Sequence, residues 1–334
     1  MKRILIALGI VFAIGLIAVA QGKIVIGHRG AAGYVPEHTL AGYAFGYALG
    51  ANYLEPDLVM TKDAQFICMH DIYLDPTTNA EQIFPDRRRA DGHWYAADFT
   101  LAEIKTLSVH ERCKSNGTPY FPDRFPVGKS RFAVPSFAEM IELVQGLNKS
   151  TGRDVGIYPE LKRPSWHEEQ GLPMEQALLD MLSNHGYTAP GAKIYIQSFD
   201  AASLQELRKL GTKIPLVQLV SGSWSYASMW TKQGLDNIAT YADGIGPSKT
   251  IIEKNPDYVE WAHERGLVVH PYTFRADSLP AQYASLEEEM QRFYFTYNID
   301  GLFTDFVDVA VGVLGETDGS AVTRQRVDSF RRRW

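Results

Sequence analysis

Short β-rich runs and amphipathic helical stretches alternate along nearly the whole of this 334-residue chain, and that alternation limits its fold more than any other feature. β-Branched and apolar runs predict strands at 24–28, 53–59, 65–70, 154–161, 193–197, 215–220, 242–246, 267–271 and 300–304. Between most of them lie helices with legible starts. Ser136 with Glu139 forms a capping box ahead of Met140-Ile141 and Leu143-Val144, and Thr100 with Glu103 forms a second. Asp200 caps the stretch carrying Leu204 and Leu207. Strands that alternate with helices pair in parallel, because each crossover returns the chain to the end of the sheet it left.

Eight such units close into a TIM-type (β/α)8 barrel, and the count approaches eight when 65–70 is taken as an extension beside the second strand. An open doubly wound sheet is the other arrangement of the same pattern. It would carry a glycine-rich dinucleotide turn after its first strand, and Gly27-His28-Arg29-Gly30 is not that fingerprint. The barrel is therefore expected over residues 23–314. One stretch breaks the alternation. From Asp71 to Val134 the chain is rich in Pro, Asp, Arg and aromatics, and only 100–107 reads clearly as helix. That is too long for an ordinary βα loop, so 71–134 is expected to be a small inserted subdomain on the face where barrel loops build sites.

Residues 1–20 read as an export signal. Lys2-Arg3 is a basic start, Ile4–Ile17 an apolar run, and Ala18-Val19-Ala20 a small-residue cleavage site. A retained N-terminal anchor is the alternative, since the apolar run is nearly long enough to span a bilayer. With cleavage, the mature chain is expected in the periplasm with no stable membrane insertion. Residues 316–334 show little apolar periodicity and read as a mobile basic tail. The net charge of −6, with basic clusters only at Arg87–Arg89 and Arg331–Arg333, argues against a nucleic-acid partner. A hydrophobic fraction of 45% suffices for a core without disulfide staples. Cys68 lies in the apolar run Phe66–Met69 and is expected as a buried free thiol rather than paired with Cys113.

In a parallel barrel the strand C-termini share one face, so the polar residues there can be read together. They are His28 and Arg29, Glu55 and Asp57, His70 and Asp71, Glu160 and Lys162, Gln197, His270, and Asp305. Glu55 and Asp57 are two apart on a strand and point to one face, with Tyr53 of the same parity beneath them. Singly, each of these has a bland reading as a solvated pair, a core histidine or a surface lysine. Together at one end of successive strands, they do not read as a merely solvated face. Crowded carboxylates need a compensating cation, and an all-oxygen set favours Ca²⁺ or Mg²⁺ over Zn²⁺. Two histidines near neutral pKa, a metal and two cationic side chains suit cleavage of a phosphodiester. A glycosidase would instead want two opposed carboxylates without the cations.

The motifs GHRGAAGYVPEHTLAGY, YLEPDLVMTKD, CMHDIYLDPTT, GIYPELKRP, YIQSFD, ADGIGP, VVHPYTFRAD and GLFTDFVD resemble, in order, those of bacterial glycerophosphodiester phosphodiesterases, most closely the periplasmic branch. The resemblance covers about residues 24–314. It implies a barrel with a small insertion, a bound divalent ion (usually Ca²⁺, with Mg²⁺ or another as alternatives), and hydrolysis of a small glycerophosphodiester to sn-glycerol 3-phosphate and an alcohol. By matching motif, His28 and His70 are the acid/base pair, Arg29 the phosphate ligand, and Glu55, Asp57 and Glu160 the metal ligands. Lys162 steadies the charged transition state, and Glu37 fixes its loop. Trp224, Tyr272 and Phe274 are candidates to wall the alcohol pocket, and Gly30–Gly33 is expected to stay small so that substrate can reach the backbone. Pro56 and Val307 depart from the branch's pattern. A phospholipase acting on intact lipid is the competing reading. The oligomeric state is open, a homodimer included.

Overall fold

The computed structural model describes residues 22–317; the expected export signal and nearly all of the expected tail lie outside them. Among the described residues eleven strands occur in chain order: β1 (Ile24–His28), β2 (Tyr53–Glu55), β3 (Asp57–Met60), β4 (Phe66–Cys68), β5 (Gly156–Ile157), β6 (Glu160–Leu161), β7 (Ile196–Ser198), β8 (Leu216–Val220), β9 (Gly244–Pro247), β10 (Val268–Val269) and β11 (Gly301–Thr304). Regular pairing gives two sheets, β11-β1-β2-β5 and β10-β9-β8-β7-β6-β3-β4, all parallel except for β4 on β3.

These sheets are one barrel interrupted at two prolines. Strand 53–60 is divided at Pro56 and strand 156–161 at Pro159, where proline supplies no N–H to a ladder. The carbonyls continue the pairing across each gap. Tyr158 donates to Leu54 O at 2.9 Å, Glu160 to Pro56 O at 2.9 Å, and Gln197 to Pro159 O at 2.9 Å. The last seam closes where Phe274 donates to Phe303 O at 2.9 Å and Phe303 to Pro271 O at 3.1 Å. Eight barrel positions result, with β2/β3 and β5/β6 each forming one. β4 is the antiparallel extension foreseen beside the second strand. Ile26, Tyr53, Tyr158, Tyr195, Val217 and Phe303 fill the barrel interior, Tyr158 and Tyr195 stacking at 4.9 Å. A larger core lies between the strands and the outer helices.

The helix starts follow the sequence. Ser136 and Thr100 each form a complete capping box, and Asp200 accepts from Ala202 N. The helix in 100–107 is shorter than expected, Leu101–Ile104, and a further short helix, Ala80–Ile83, carries no clear periodic signal. The 71–134 segment has a small apolar core of its own: Leu74, Trp94, Phe99, Ile104 and Leu107 pack with Val59, Ile67 and Met69 of the barrel. It returns beside its point of departure, where Cys68 donates to Pro135 O at 3.0 Å. Cys68 is buried and both cysteines are free thiols.

The run Gly30–Gly33 is small for a different reason from the one expected. Gly30 has φ +95°, and a Cβ there would lie 2.7 Å from the backbone of Gly42 in the helix Leu40–Leu49. Ala31 and Ala32 are buried, and Gly33 abuts the Phe306 ring. The stretch is compact because a helix and an aromatic ring press on it, and it does not line the cleft.

Candidate active site

Strand register sets the site. His28 is paired with Glu55, Asp57 with Glu160, and Glu160 with Gln197, so these residues form a row across adjacent strands. They open onto a cleft of about 380 Å³ lined on one side by His28, Arg29, Glu55, His70, Glu160 and Lys162. Phe199, Lys249, Tyr272 and Arg275 stand among the other lining residues.

Glu55, Asp57 and Glu160 are buried, and each offers an oxygen within 4.8 Å of the others. Burial, then the charges of Asp57 and Glu160, push the Glu55 carboxyl well above its usual range. Burial and Asp57 raise Glu160 to about 8, against the pull of Lys162, whose Nζ lies 2.8 Å away. Asp57 is also buried but is held well below the usual range by Lys162, His70, His38 and Arg29. His38 Nε2 lies 2.8 Å from Asp57 Oδ2, with its other nitrogen against the Tyr43 hydroxyl at 2.7 Å. Gln197 Oε1 is buried with no partner, while its Nε2 reaches Glu55 at 3.4 Å. Three acceptor-only carboxylates and an orphaned amide oxygen, without sulfur, fit a hard divalent cation.

Each cleft histidine leans on an aspartate. His28 Nδ1 meets Asp305 Oδ1 at 2.6 Å, and His70 Nδ1 meets Asp71 Oδ1 at 2.9 Å. That leaves Nε2 of each ring for the cleft. Burial lowers His28 to about 4, helped by Arg29, although Asp305 opposes the shift. Burial, Arg29 and Lys162 likewise depress His70, whose side chain is 31% exposed at the mouth. Without substrate or ion these shifts favour the neutral form of each ring, which can accept a proton at Nε2. Arg29 takes a left-handed φ of 56°, which aims its N–H at Glu55 Oε2 at 2.8 Å. Its Nη1 donates to both Glu37 oxygens at 3.0 and 3.1 Å, and its Nε lies 3.3 Å from Asp57.

Residues 28–309 match the model of the glycerophosphoryl diester phosphodiesterase family. This chain belongs to that family. A glycerophosphodiester phosphodiesterase of Haemophilus influenzae is 36% identical over 326 residues, covering 87% of this chain and 90% of that one. A solved structure from Silicibacter pomeroyi is 28% identical, with a TM-score of 0.69 over 90% of this chain and 96% of that one. The Oleispira antarctica phosphodiesterase solved in complex with the product sn-glycerol-3-phosphate shares the fold, at 21% identity and TM-score 0.62, covering 87% and 96%.

The structure brings the seven residues singled out from this phosphodiesterase's sequence to one place. His28, Arg29, Glu55, His70, Glu160 and Lys162 line the cleft, and Asp57 sits among them. Glu37 joins Arg29 to its loop as expected. Other strand-end residues divide. His270 is a core residue, 1% exposed and bonded to the Tyr158 hydroxyl at 3.0 Å. Of the three aromatic candidates only Tyr272 lines the cleft. Phe274 is fully buried against Phe293, and Trp224 is 85% exposed outside the lining. Sequence reasoning assigned no role to Asp305 or His38, though Asp305 was legible at its strand end. Arg112 and Arg124, which donate to Asp71 and Asp305 behind the two histidines, were not singled out, because the irregular 71–134 segment has no period from which their direction could be read.

Proposed function

We propose that the chain hydrolyses glycerophosphodiesters, glycerophosphocholine and glycerophosphoethanolamine among them, to sn-glycerol 3-phosphate and the free alcohol, with a divalent ion held by Glu55, Asp57 and Glu160. The observation that carries this reading is the single cleft in which a histidine pair, two cations and the carboxylate triad converge. Ca²⁺ is the ion we assign first and Mg²⁺ second, on the all-oxygen donor set. The ion supplies positive charge that acidifies the attacking oxygen and offsets charge on the phosphoryl group.

The chain's own residues do the rest. Arg29 and Lys162 present N–H donors to the phosphate oxygens, and carboxylates already hold both in place. The histidines divide the proton transfers: one enters neutral and takes the proton of the attacking oxygen, from water or a glycerol hydroxyl, while the other enters as imidazolium, balanced by its aspartate and the phosphodiester anion, and gives its Nε2 proton to the departing alkoxide. Burial of Glu55, Asp57, Glu160 and His28 at the base of the cleft strengthens the interactions among these charges. We place the enzyme in the periplasm, a reading supported by the basic start, apolar run and small-residue site of residues 1–20.

Release of sn-glycerol 3-phosphate from glycerophosphocholine, compared with hydrolysis of intact phosphatidylcholine, is the deciding assay. Cleavage of the intact lipid alone would overturn the substrate class. Wild-type turnover by His28→Ala or His70→Ala would remove that histidine from the chemistry, and cell fractionation tests the compartment.

A further inference from the structure

Both cleft histidines are held from behind by the same succession of groups, and in both the last link comes from the 71–134 segment. His28 leans on Asp305 Oδ1, and Asp305 Oδ2 accepts from Arg124 Nη2 at 2.7 Å. His70 leans on Asp71 Oδ1, and Asp71 Oδ2 accepts from Arg112 Nη1 at 2.6 Å. The geometry points to Arg112 and Arg124 as positioning residues, through which the inserted segment orients the acid/base pair of the barrel. The inference rests on reading His28 and His70 as that pair.

A carboxylate turns easily about its last torsion, so fixing one oxygen decides where the other lies. The fixed oxygen then sets the plane and tautomer of the imidazole that donates to it. The arginines are themselves anchored. Arg124 Nε and Nη2 meet Asp277 at 2.6 and 3.0 Å, Nη1 donates to Ala32 O at 3.1 Å, and the guanidinium lies 3.8 Å over the Phe121 ring. Arg112 Nε and Nη2 grip the two oxygens of Glu37 at 3.0 and 2.7 Å. Because Glu37 also holds Arg29, Arg112 steadies a phosphate-binding group as well as a histidine. Arg275, from the loop after β10, shares Asp305 Oδ2 with Arg124 at 2.7 Å and completes the clamp.

The test compares Arg124→Met, Arg112→Met and a control, Arg89→Met, which pairs with Asp98 of the inserted segment and reaches Gln170 at 3.3 Å but touches neither cleft histidine nor its aspartate. Kinetics on glycerophosphocholine are read beside thermal midpoints and the downfield Nδ1–H proton resonance of His28. Arg124→Met should lower kcat ~10–100-fold with KM little changed, because it forfeits part of what a positioned acid or base contributes. It should also abolish the resonance. Arg112→Met should lower kcat and raise KM together. Arg89→Met should lower the midpoint yet keep kcat. Should Arg124→Met not fold, Arg124→Lys, which keeps the cation but not the fork, gives the same reading. Wild-type kcat in folded Arg124 or Arg112 variants overturns the inference, as does an equal loss in Arg89→Met. Wild-type activity in both His28→Ala and His70→Ala would instead overturn the acid/base reading beneath it.

Discussion

Asp305→Asn replaces one oxygen of a buried carboxylate by an amide nitrogen, and the surroundings decide which one. Oδ2 receives two cationic donors, Arg124 Nη2 and Arg275 Nε, both at 2.7 Å, whereas Oδ1 receives only His28 Nδ1. The asparagine must therefore turn its carbonyl to the arginines and its NH₂ to the imidazole. His28 Nδ1 then has to accept, so the proton moves to Nε2 and the ring offers the cleft a donor where it had offered a lone pair. Loss of one acid/base partner lowers kcat ~10²–10⁴-fold, or about 2.7–5.5 kcal/mol of barrier, with KM little changed. The variant also deprives two arginines of a shared charge, but Arg124 keeps Asp277 and both keep the amide oxygen as acceptor, so the stability cost is ~1–3 kcal/mol. Initial rates of sn-glycerol 3-phosphate release, with denaturant unfolding on the same preparation, separate the two effects. A folded Asp305→Asn enzyme with wild-type kcat would refute the tautomer argument.

Chelation by EDTA should abolish turnover and Ca²⁺ should restore it; activity indifferent to chelation would remove the metal from the reading. Ion binding at pH 7 should release protons, since burial and Asp57 raise Glu160 to about 8 and the ion binds its ionised form. Affinity should accordingly rise with pH toward 8, and calorimetry in buffers of different ionisation enthalpy measures the release. His167 is fully buried with both ring nitrogens unpartnered, and burial lowers it from 6.5 to about 4. The unfolded chain binds that proton more readily, so stability is lost as pH falls below 6.5. His167→Leu should recover about 2 kcal/mol of it at pH 5, measured by urea unfolding, and an unchanged acid profile would count against this.

The barrel was legible because its signals are local. β-Branched apolar runs and capping boxes such as Ser136–Glu139 mark elements without reference to anything distant. The parity of Glu55 and Asp57 survived even the proline between them, since side-chain direction follows strand geometry rather than ladder continuity. What stayed hidden depends on contacts between distant residues. His270 and Asp305 both lie at strand ends, yet one bonds a tyrosine in the core and the other meets an imidazole that lines the cleft. Only the packing of Tyr158 and the approach of Arg124 tell them apart. Gly30–Gly33 invited an explanation from substrate when the true constraint is the helix Leu40–Leu49 against its backbone.

The inserted segment leaves the barrel and rejoins it at neighbouring backbone positions, where Cys68 bonds Pro135 O. The strands on either side can therefore find their register before the segment between them has folded. The histidines, however, gain their final support only when Arg112 and Arg124 arrive. If the positioning role of these arginines holds, assembly of the scaffold and acquisition of activity should be separable in time. During refolding, far-ultraviolet ellipticity should recover ahead of turnover, and the native barrel should pass through a closed but catalytically silent form.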